Sequence, residues 1–522
     1  MSGEKLTTDA AGVAVDTETR GDLRQGALRV YERSAVRSEG TTYFLAHSEV
    51  GGRQLLGIEG NVEGFAEAQT TAGGALLFPL TAANVATLRS RLPWLRPVPL
   101  GLRISAGFGD RLGLATPGHV RAIRGLPSAR KSIGPIFAQQ SVRENSRTGR
   151  TPQQVLDDAT WGVFQAGWRA GWGADADHLK TPEAADAFID AGYTMFTTDP
   201  GDWVDDTGQG AGADELKASV EALPWELLED TPRDLERRYS GDAVDLAGGP
   251  MAVDRETVWR AASKYGHAVG RTVEMYRHIE GRMGDRPFDF EVSVDETESP
   301  TSLMEHFYIA SELRRLGVRW TSLAPRFIGS FEKGVDYIGS LRDFADEFAR
   351  HAEIVRQLGP YKLSLHSGSD KFSIYGITTR LATLDGSDSQ GPLIHLKTAG
   401  TSYLEALRTV AQVNSRLFRE ILELARDRYE TDRATYHISA LLTRVPAAAD
   451  LDDSELVGLI DQFDARQVLH VTFGSVLDRF REPLLAELRR NEELHHSLLA
   501  SHFSRHLTPF CQTAAAASDS ER

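Results

Sequence analysis

Acidic, imidazole and ammonium side chains follow short apolar runs at many points of this 522-residue chain. The segment GADADHLK (173–180) carries two aspartates, one histidine and one lysine. Comparable polar segments follow other apolar runs: GFGDRLG, AQQSVREN, TTDPGDW, VSVDETESPT, LAPRF, LHSGSDKF and HLKTAGTSY. Such side chains perform acid–base chemistry and bind metals, so their recurrence after apolar runs predicts one shared site.

Alternation along a strand indicates which of these side chains share a face, because residues two apart point to the same side. This rule groups Glu291, Ser293 and Asp295; Lys362, Ser364 and His366; and His395 with Lys397. Buried charges are costly unless they are paired or bound to a metal. Histidine nitrogens with carboxylate oxygens suit zinc, whereas carboxylate-rich sets suit manganese or magnesium.

Eight apolar runs of strand length must position these groups: LRISAGF (102–108), GPIFAQ (134–139), a run ending in GWGA (171–174), YTMFTT (193–198), FDFEVSV (288–294), VRWTSLA (318–324), YKLSLHS (361–367) and PLIHLKT (392–398). Helix-start signals lie between many of them: Thr151-Pro152, Thr181-Pro182, Ser302 with Glu305, and Ser402 with Glu405. Eight βα units predict a (β/α)8 TIM-like barrel, with catalytic residues at the carboxyl ends of its strands. An open doubly wound sheet is the competing fold.

The remaining sequence predicts two additions to the barrel. Residues 1–100 form an N-terminal appendage with a small antiparallel sheet, because Gly-rich turns separate its apolar runs. Residues 101–410 form the catalytic barrel with a helical insertion at about 205–286, and residues 411–522 form a helical C-terminal extension. Residues 1–22 and 512–522 are polar or of low complexity and are predicted to be disordered.

Composition argues against several functional classes. The 58 Lys and Arg against 74 Asp and Glu give a net charge of −16, which disfavours binding to nucleic acid or to an anionic membrane. The single cysteine, Cys511, fits a reducing compartment, so a cytoplasmic location is expected. Signal-peptide and membrane-span patterns are absent from the sequence. The glycines of GFGDRLG have the wrong spacing for a dinucleotide fingerprint, so no bound NAD is expected.

Each of these polar residues also has a structural interpretation. A lone histidine is more often structural than catalytic, but His178, His366 and His395 each end a predicted strand. Asp175 and Asp177 could cap the helix that follows them. The basic stretch RENSRTGR (143–150) contacts an anionic substrate or is a solvated loop, and the loop is favoured.

Long ordered blocks of the chain resemble the tagaturonate/fructuronate epimerase family. They are FGDRLGLATPGH (108–119), FAQQSVREN (137–145), GWGADADHLKT (171–181), FEVSVDETESPTSLMEHFYIASELRRLGVRWTSLAPRFIGSFEKGVDYIG (290–339), YKLSLHSGSDKFSIYGI (361–377) and HLKTAGTSYLEALR (395–408). The resemblance implies a metal-dependent epimerase of hexuronate catabolism that interconverts two keto-uronates, with related enzymes acting on fructose and tagatose.

A weaker likeness to class II aldolases concerns Asp177-His178 and His366-Ser367-Gly368-Ser369. It implies that both histidines bind zinc and that the aspartate transfers a proton. The third zinc histidine of those aldolases has no counterpart in LAPRFIGSF, so Asp295, Glu296 or His395 would have to replace it.

The reaction implied by the resemblance inverts the carbon that bears the hydroxyl β to the ketone. Retro-aldol cleavage, rotation of the aldehyde fragment and re-addition would invert that carbon, and this route needs a Lewis acid and a base. His178, Asp295 and His366 are therefore predicted to hold Zn²⁺, with Mn²⁺, Ni²⁺ or Co²⁺ as alternatives. Asp177 is the predicted proton-transfer group, and Glu296 is a second acid/base candidate.

Substrate-binding residues are also predicted at the strand ends. Lys397 or Arg326, with the backbone amides at Gly400-Thr401-Ser402, are expected to receive the substrate carboxylate. Asp175 either orients His178 or binds the metal itself. The full predicted binding set is Asp110, Arg111, Gln140, Lys180, Arg326, Ser367, Asp370, Lys371, His395, Lys397, Gly400, Thr401 and Ser402.

Other functions remain open at the level of the sequence. The chain could be a metal aldolase that releases its fragments, an isomerase that works by enolisation, or, least favoured, a non-enzymatic sugar-binding barrel. The residues themselves do not determine whether the substrate is a uronate or a neutral ketose. They also do not determine the metal or the oligomeric state, for which a homo-oligomer is one option.

Overall fold

The structure is a computed structural model that describes residues 28–48, 53–72, 74–126, 133–239, 244–246, 249–251, 253–383 and 392–511. The predictions of disorder at residues 1–22 and 512–522 lie outside the described residues. Strands carry the labels β1 to β16 in chain order, and helices are identified by their residue ranges.

The N-terminal region contains the predicted antiparallel sheet, with the order β1-β3-β4-β6-β5 and β2 paired to β3. Alternate residues of β3 face opposite sides: Leu45 joins the main hydrophobic core, while Phe44 and Ala46 pack in a small separate cluster. The strands are β1 Leu28–Val30, β2 Val36–Ser38, β3 Thr41–Ser48, β4 Gln54–Glu59, β5 Thr70–Ala72 and β6 Ala75–Pro79.

Eight parallel strands close into a barrel, which confirms the predicted (β/α)8 fold. Closure is made by β16 and β7, where Lys397 pairs in register with Gly107, so the open doubly wound sheet is wrong. The barrel strands are β7 Ser105–Phe108, β8 Gly134–Ser141, β9 Gly173–Leu179, β10 Met195–Thr198, β13 Asp289–Val294, β14 Ser322–Pro325, β15 Lys362–Leu365 and β16 Ile394–Thr398.

Strand β9 differs from the prediction because it continues past residue 174 to Leu179. Asp175 and Asp177 are therefore strand residues that point the same way, and neither is a cap of the next helix. Thr181 caps that helix, since its side chain accepts a hydrogen bond from the Ala184 amide. The sequence pattern did not predict this extension, because charged residues are uncommon in a buried strand. Here Lys397 of the last strand compensates the charges of Asp175 and Asp177.

Helices surround the barrel, and most of their predicted starts are confirmed by capping hydrogen bonds at Thr151, Thr181 and Ser302. The predicted helix start at Ser402 is corrected: the helix starts at Thr401, with Gly400 at its cap position. The barrel-associated helices are Ala82–Arg91, Thr116–Gly125, Val142–Thr148, Pro152–Ala166, Pro182–Ala191, Leu303–Arg315, Leu341–Leu358, Phe372–Leu381 and Thr401–Val413.

The insertion and the C-terminal extension are helical, as predicted. The insertion contains the hairpin β11 Val244–Leu246 and β12 Gly249–Met251 and the helices Ala213–Glu221, Trp225–Leu228, Pro232–Tyr239 and Arg255–Met283. The extension contains the helices Ser415–Asp432, Asp453–Leu459, Phe463–Val471, Phe473–Arg490 and Glu492–Leu507.

The extension shares a hydrophobic cluster with the last barrel helix; the cluster includes Leu407 of that helix and Phe418, Leu422 and Leu469 of the extension. The proposed division into three regions stays a prediction. Within the described part of the chain, none of the helices combines the length and apolarity needed to cross a bilayer.

Candidate active site

Two cavities lie at the carboxyl ends of the barrel strands and share part of their lining. The inner cavity is bordered by strand-end residues that include Asp177, His178 and Lys397. The outer cavity extends toward the C-terminal region, where Tyr436 and His437 line it. The residues common to both cavities are Asp295, Glu296, Lys333, His366 and Ser367.

The predicted metal ligands His178, Asp295 and His366 come together at these cavities, with their candidate ligand atoms all within 4.8 Å of one another. Nδ1 of His366 lies 3.0 Å from Oδ1 of Asp295. Two histidines and one carboxylate from three different strand ends are a donor set that suits zinc or a similar divalent ion.

Each of the two histidines has a carboxylate next to the ring nitrogen that faces away from the candidate metal position. His178 Nδ1 lies 2.8 Å from Asp177 Oδ1, and His366 Nε2 lies 2.7 Å from Glu291 Oε1. A carboxylate on one ring nitrogen fixes the tautomer and directs the other nitrogen, Nε2 of His178 and Nδ1 of His366, toward an ion. These residues therefore fit a metal site.

A buried ionic cage lies beneath the two histidines. The Lys397 ammonium lies 2.9 Å from Asp175 Oδ2, 2.6 Å from Asp177 Oδ1 and 2.8 Å from Glu291 Oε1. It also donates to the Thr197 hydroxyl over 2.7 Å. Three carboxylates around one ammonium leave an excess of negative charge, which is a second reason why the site suits a cation.

The cage sets the ionisation of its members. Burial opposes the charged form of Asp177 and of Glu291, but the Lys397 ammonium outweighs it and holds the pKa of both carboxyls well below the usual range. Burial raises the pKa of Asp175 to about 6 despite Lys397. For His178, burial is outweighed by the Asp177 carboxylate, which raises the pKa of the imidazole to about 10. The negative surroundings thus favour positive charge at the histidines.

Two of the cavity residues have left-handed backbone conformations, which side chains other than glycine rarely adopt. The φ angle is 56° at His178 and 48° at Ser367, next to His366. Such conformations persist where surrounding contacts over-determine them, and they are common at functional sites.

Glu296 is the carboxylate at the entrance of the site. Its side chain is 39% exposed, its Oε1 lies 3.4 Å from the Arg143 guanidinium, and the same oxygen lies 3.9 Å from His178 Nε2. It lines both cavities, so a bound substrate can reach it.

Some predicted substrate-binding residues do line the cavities. Ser367 and Lys397 border the inner cavity, and Arg326 borders the outer one. Lys397 differs from the prediction, because its ammonium is already engaged by the cage. A substrate carboxylate at Lys397 would compete with three protein carboxylates.

Two predicted binding residues in the loop after β7 stabilise the fold instead. The Asp110 carboxylate accepts hydrogen bonds from the amides of Leu112, Gly113 and Ala115. Arg111 pairs with a buried glutamate and stacks 3.7 Å from the centre of the Phe473 ring. The Asp110 carboxylate is thus used within its own loop, and Arg111 joins this loop to the helix after β8 and to the C-terminal extension.

At β8 the cavity is lined by the residue before the predicted one. Gln139, rather than Gln140, lines the inner cavity, and it donates a hydrogen bond to Asp177 Oδ2 over 3.3 Å. Gln140 points the other way and accepts from Arg150. The alternation rule requires a reference residue known to face inward, and the run GPIFAQQS does not supply one.

Two further predicted residues lie outside the cavities. Lys180 is 45% exposed and pairs with Asp202. His395 is buried inside the barrel, where Nδ1 lies 2.9 Å from the Ser105 hydroxyl, and burial lowers its pKa to about 3. His395 is therefore a neutral interior residue and not the third ligand of the group formed with His178.

The loop after β15 is held by contacts that use Asp370 and Lys371. Asp370 accepts from Arg466 and contacts His502 Nε2 at 2.7 Å, and its amide donates to His506. Lys371 donates to three backbone carbonyls, and burial lowers its pKa to about 7. Both residues position the loop rather than bind substrate.

Asp370, His502 and His506 also form a second compact histidine–carboxylate group. His502 bridges two carboxylates, those of Asp370 and Glu405, with its two ring nitrogens. His506 Nε2 accepts the Asp370 amide, and Arg466 neutralises the aspartate. The ring atoms that would bind a metal are already in use, so this group is structural.

The predicted anion cradle at residues 400–402 begins directly behind Ala399, which borders the inner cavity. The helix that starts at Thr401 has no side-chain cap. Ser402 is not at the cavity surface, since its hydroxyl hydrogen-bonds His119 Nε2 over 2.8 Å. Gly400 is required, because a Cβ there would lie 2.1 Å from His470 Nε2.

Three residues of the site were missed from the sequence. The alternation rule placed Glu291 on the same strand face as Asp295, so the sequence contained enough information to include Glu291 in the predicted site. Gln139 was one residue from the prediction, whereas Lys333 lies in a loop whose course no local pattern indicates.

The fold and the strand-end centre define a (β/α)8-barrel enzyme with a histidine–carboxylate site. The family model for UxaE, tagaturonate epimerase, matches residues 31–510. The tagaturonate/fructuronate epimerase of Thermotoga maritima is 44% identical over 483 residues, which are 92% of this chain and 96% of that protein. The chain therefore belongs to the tagaturonate epimerase family.

Solved structures agree with this assignment. The native crystal structure of the fructuronate-tagaturonate epimerase UxaE from Cohnella laeviribosi has a TM-score of 0.85 and 37% identity, covering 93% of this chain and 97% of that chain. A one-glycerol complex of it has a TM-score of 0.84 and 37% identity, covering 92% and 96%. The resemblance to the family is confirmed, and the likeness to class II aldolases stays a prediction.

Proposed function

We propose that this chain interconverts tagaturonate and fructuronate with the help of a divalent metal ion, Zn²⁺ being the first choice. The names of the relatives in Thermotoga maritima and Cohnella laeviribosi support the substrate pair. The convergence of His178, Asp295 and His366 within 4.8 Å is the observation that carries the metal-dependent part of the proposal.

The substrate skeleton determines the chemistry. In both keto acids the ketone is near one end and the carboxylate forms the other, and the inverted carbon bears the hydroxyl β to the ketone. A base takes the proton of that hydroxyl, the bond to the α carbon breaks, and its electron pair passes into the enediolate of the ketone fragment. The aldehyde so formed turns its other face, and re-addition with return of the proton completes the inversion.

A bound divalent ion supplies Lewis acidity to the ketone and hydroxyl oxygens. The residues of this chain prepare the site for that chemistry: Asp177 and Glu291 orient the two histidines, and Lys397 compensates the buried carboxylates. Asp295 completes the ligand set from the end of β13.

We assign proton transfer to Glu296 ahead of Asp177, which reverses the order expected from the sequence. The low pKa of Asp177, held down by Lys397, makes that carboxylate a weak base. Glu296 is 39% exposed at the cavity entrance and lies near His178 without a lysine partner. A general base must also reach the proton that it takes, and Glu296 lines both cavities.

Turnover of tagaturonate by chelated protein, after adding back single metals, tests the proposal. We expect fructuronate to form only with an added ion, with the hydrogen of the inverted carbon retained in D₂O. Accumulation of free fragments would instead identify an aldolase, and deuterium at the α carbon would identify enolisation. Ligand-induced stabilisation without turnover would indicate a binding protein, and activity on neither a keto-uronate nor fructose would overturn the proposal.

A further inference from the structure

Lys333 differs from the other cations of the site in its partners. Its ammonium donates to the Ser367 hydroxyl over 2.6 Å, and it lines both the inner and the outer cavity. Within the described ranges of the chain, the Ser367 hydroxyl is the partner of this ammonium, and no carboxylate lies within 4.0 Å of it. Its positive charge therefore remains available to a ligand in the cavity.

The other cations around the cavities are less suited to bind an anion there. Lys397 is held by three carboxylates, and Arg143 lies 3.4 Å from Glu296. Arg326 borders only the outer cavity. Among the cations that the described residues place at these cavities, Lys333 borders the proposed metal ligands and has no carboxylate within 4.0 Å of its ammonium.

The loop that carries Lys333 is closed at its base. Ser330 and Ile338 exchange backbone hydrogen bonds of 2.8 and 3.2 Å, which makes residues 330–338 a closed turn after β14. Lys333 lies at the tip of this turn. A turn whose two ends are joined by backbone hydrogen bonds has less conformational freedom than an open loop of the same length.

Residues on both sides of Lys333 are held by hydrogen bonds from other parts of the fold. The carbonyls of Glu332 and Val335 accept from Lys371, and that of Gly334 accepts from Arg466 over 2.6 Å. The Glu332 carboxylate accepts from Ser439 and Gln467 of the C-terminal extension. These contacts fix the backbone so that the lysine side chain is presented to the cavity.

The proposed reaction requires such a fixed anchor. Cleavage between the α and β carbons leaves the carboxylate on the small aldehyde fragment, which must turn its carbonyl face without leaving. If the carboxylate is held, rotation about the adjacent carbon–carbon bond presents the other face. The uncapped helix start at Gly400, behind Ala399, adds positive potential on the same side.

We propose that Lys333 is the specificity residue that binds the substrate carboxylate and retains the aldehyde fragment between bond cleavage and re-addition. This inference rests on the proposed function. It selects a keto-uronate over a neutral ketohexose as the substrate, because a neutral sugar offers the ammonium no charged partner.

The test compares metal-loaded wild type with Lys333→Met, Lys333→Arg and Lys217→Met. Lys217 is 57% exposed on a helix of the insertion and serves as the control for loss of one lysine charge. Tagaturonate is the substrate, and an aldehyde-trapping reagent records released fragment. We expect Lys333→Met to raise KM roughly 10- to 100-fold, the loss typical of a charge-assisted hydrogen bond, and to increase trapped aldehyde.

Lys333→Arg should recover part of the KM, and Lys217→Met should match wild type. An unchanged KM with no trapped aldehyde in Lys333→Met would overturn the inference while wild-type turnover still supported the proposed function. Absence of interconversion by wild type would instead reject the proposed function itself. Equal bound metal and equal unfolding curves for wild type and Lys333→Met exclude a folding defect as the cause.

Discussion

His366 Nε2 donates a hydrogen bond to Glu291 Oε1 over 2.7 Å, and both side chains are buried inside the barrel. Glu291 also accepts from the Ser322 hydroxyl and pairs with Lys397. One carboxylate on β13 therefore links a proposed metal ligand, directly after β15, to a lysine on β16. The proposed metal site and the charge balance of the barrel interior are parts of one network.

Glu291→Gln should weaken metal binding. A neutral amide is a poorer acceptor for His366 and leaves Lys397 with one carboxylate fewer. Outer residues of this kind typically change metal affinity about 10- to 100-fold. Titration of the chelated protein with Zn²⁺ measures the change, and Glu274→Gln, at an exposed ion pair of the insertion, is the control. Equal affinity in both variants would show that Glu291 does not orient the ligand.

His366→Ala should remove stoichiometric metal binding together with activity. The variant loses one of the three converging ligands, whereas the structural group of Asp370, His502 and His506 is untouched. Elemental analysis should find one ion per wild-type chain and none in the variant. Full metal content and activity in His366→Ala would refute the ligand assignment, and two ions per wild-type chain would contradict the structural role of the second group.

Glu296→Gln should lower kcat by roughly 100- to 10,000-fold, the usual contribution of a general acid or base, with metal affinity unchanged. Asp177→Ala should instead weaken metal binding, because His178 loses the carboxylate on its Nδ1 atom. Steady-state kinetics at saturating metal separate the two effects. Normal kcat in Glu296→Gln would return the proton-transfer role to Asp177.

Arg466→Met should destabilise the protein and disturb the Lys333 loop. Arg466 donates to the Gly334 carbonyl and pairs with Asp370, and it is 7% exposed. Breaking a buried ion pair costs roughly 3 to 5 kcal/mol. Urea unfolding should show this loss, while Arg416→Met, at an exposed pair on the same extension, should cost under about 1 kcal/mol. Similar losses in both variants would show that the contacts of Arg466 with Gly334 and Asp370 do not stabilise the fold.

The free energy of unfolding should fall as the pH drops from about 6.5 toward 4. Burial lowers the pKa of His119 to about 4 and that of His351 to about 3. The unfolded chain therefore binds more protons than the folded one over this window, so acidification favours unfolding. His119→Phe, whose ring would pack against Phe108 and Phe503, should give a shallower pH dependence. Parallel curves for wild type and variant would refute this role of His119.

The barrel and the residue types that converge at the proposed metal site were predictable because both depend on local patterns. Eight apolar runs at βα spacing specify the fold, and Asp295 and His366 lie where two of those runs stop, whereas His178 lies past the predicted end of its run because β9 continues to Leu179. Residue type then indicates the chemistry, since imidazole and carboxylate groups that meet at one barrel end form a donor set for a cation.

What the sequence by itself determined is thus the fold class, the end of the barrel that carries the candidate site, and the residue types of the proposed metal site. The tertiary structure determined which charges are compensated by other groups of the protein. Lys397 is surrounded by carboxylates from β9 and β13, so it is not available as the expected anion receptor. It also decided that Lys333 is presented by contacts from the C-terminal extension. These outcomes depend on pairings between residues far apart in sequence, because the energy of a buried charge is determined by its neighbours in space.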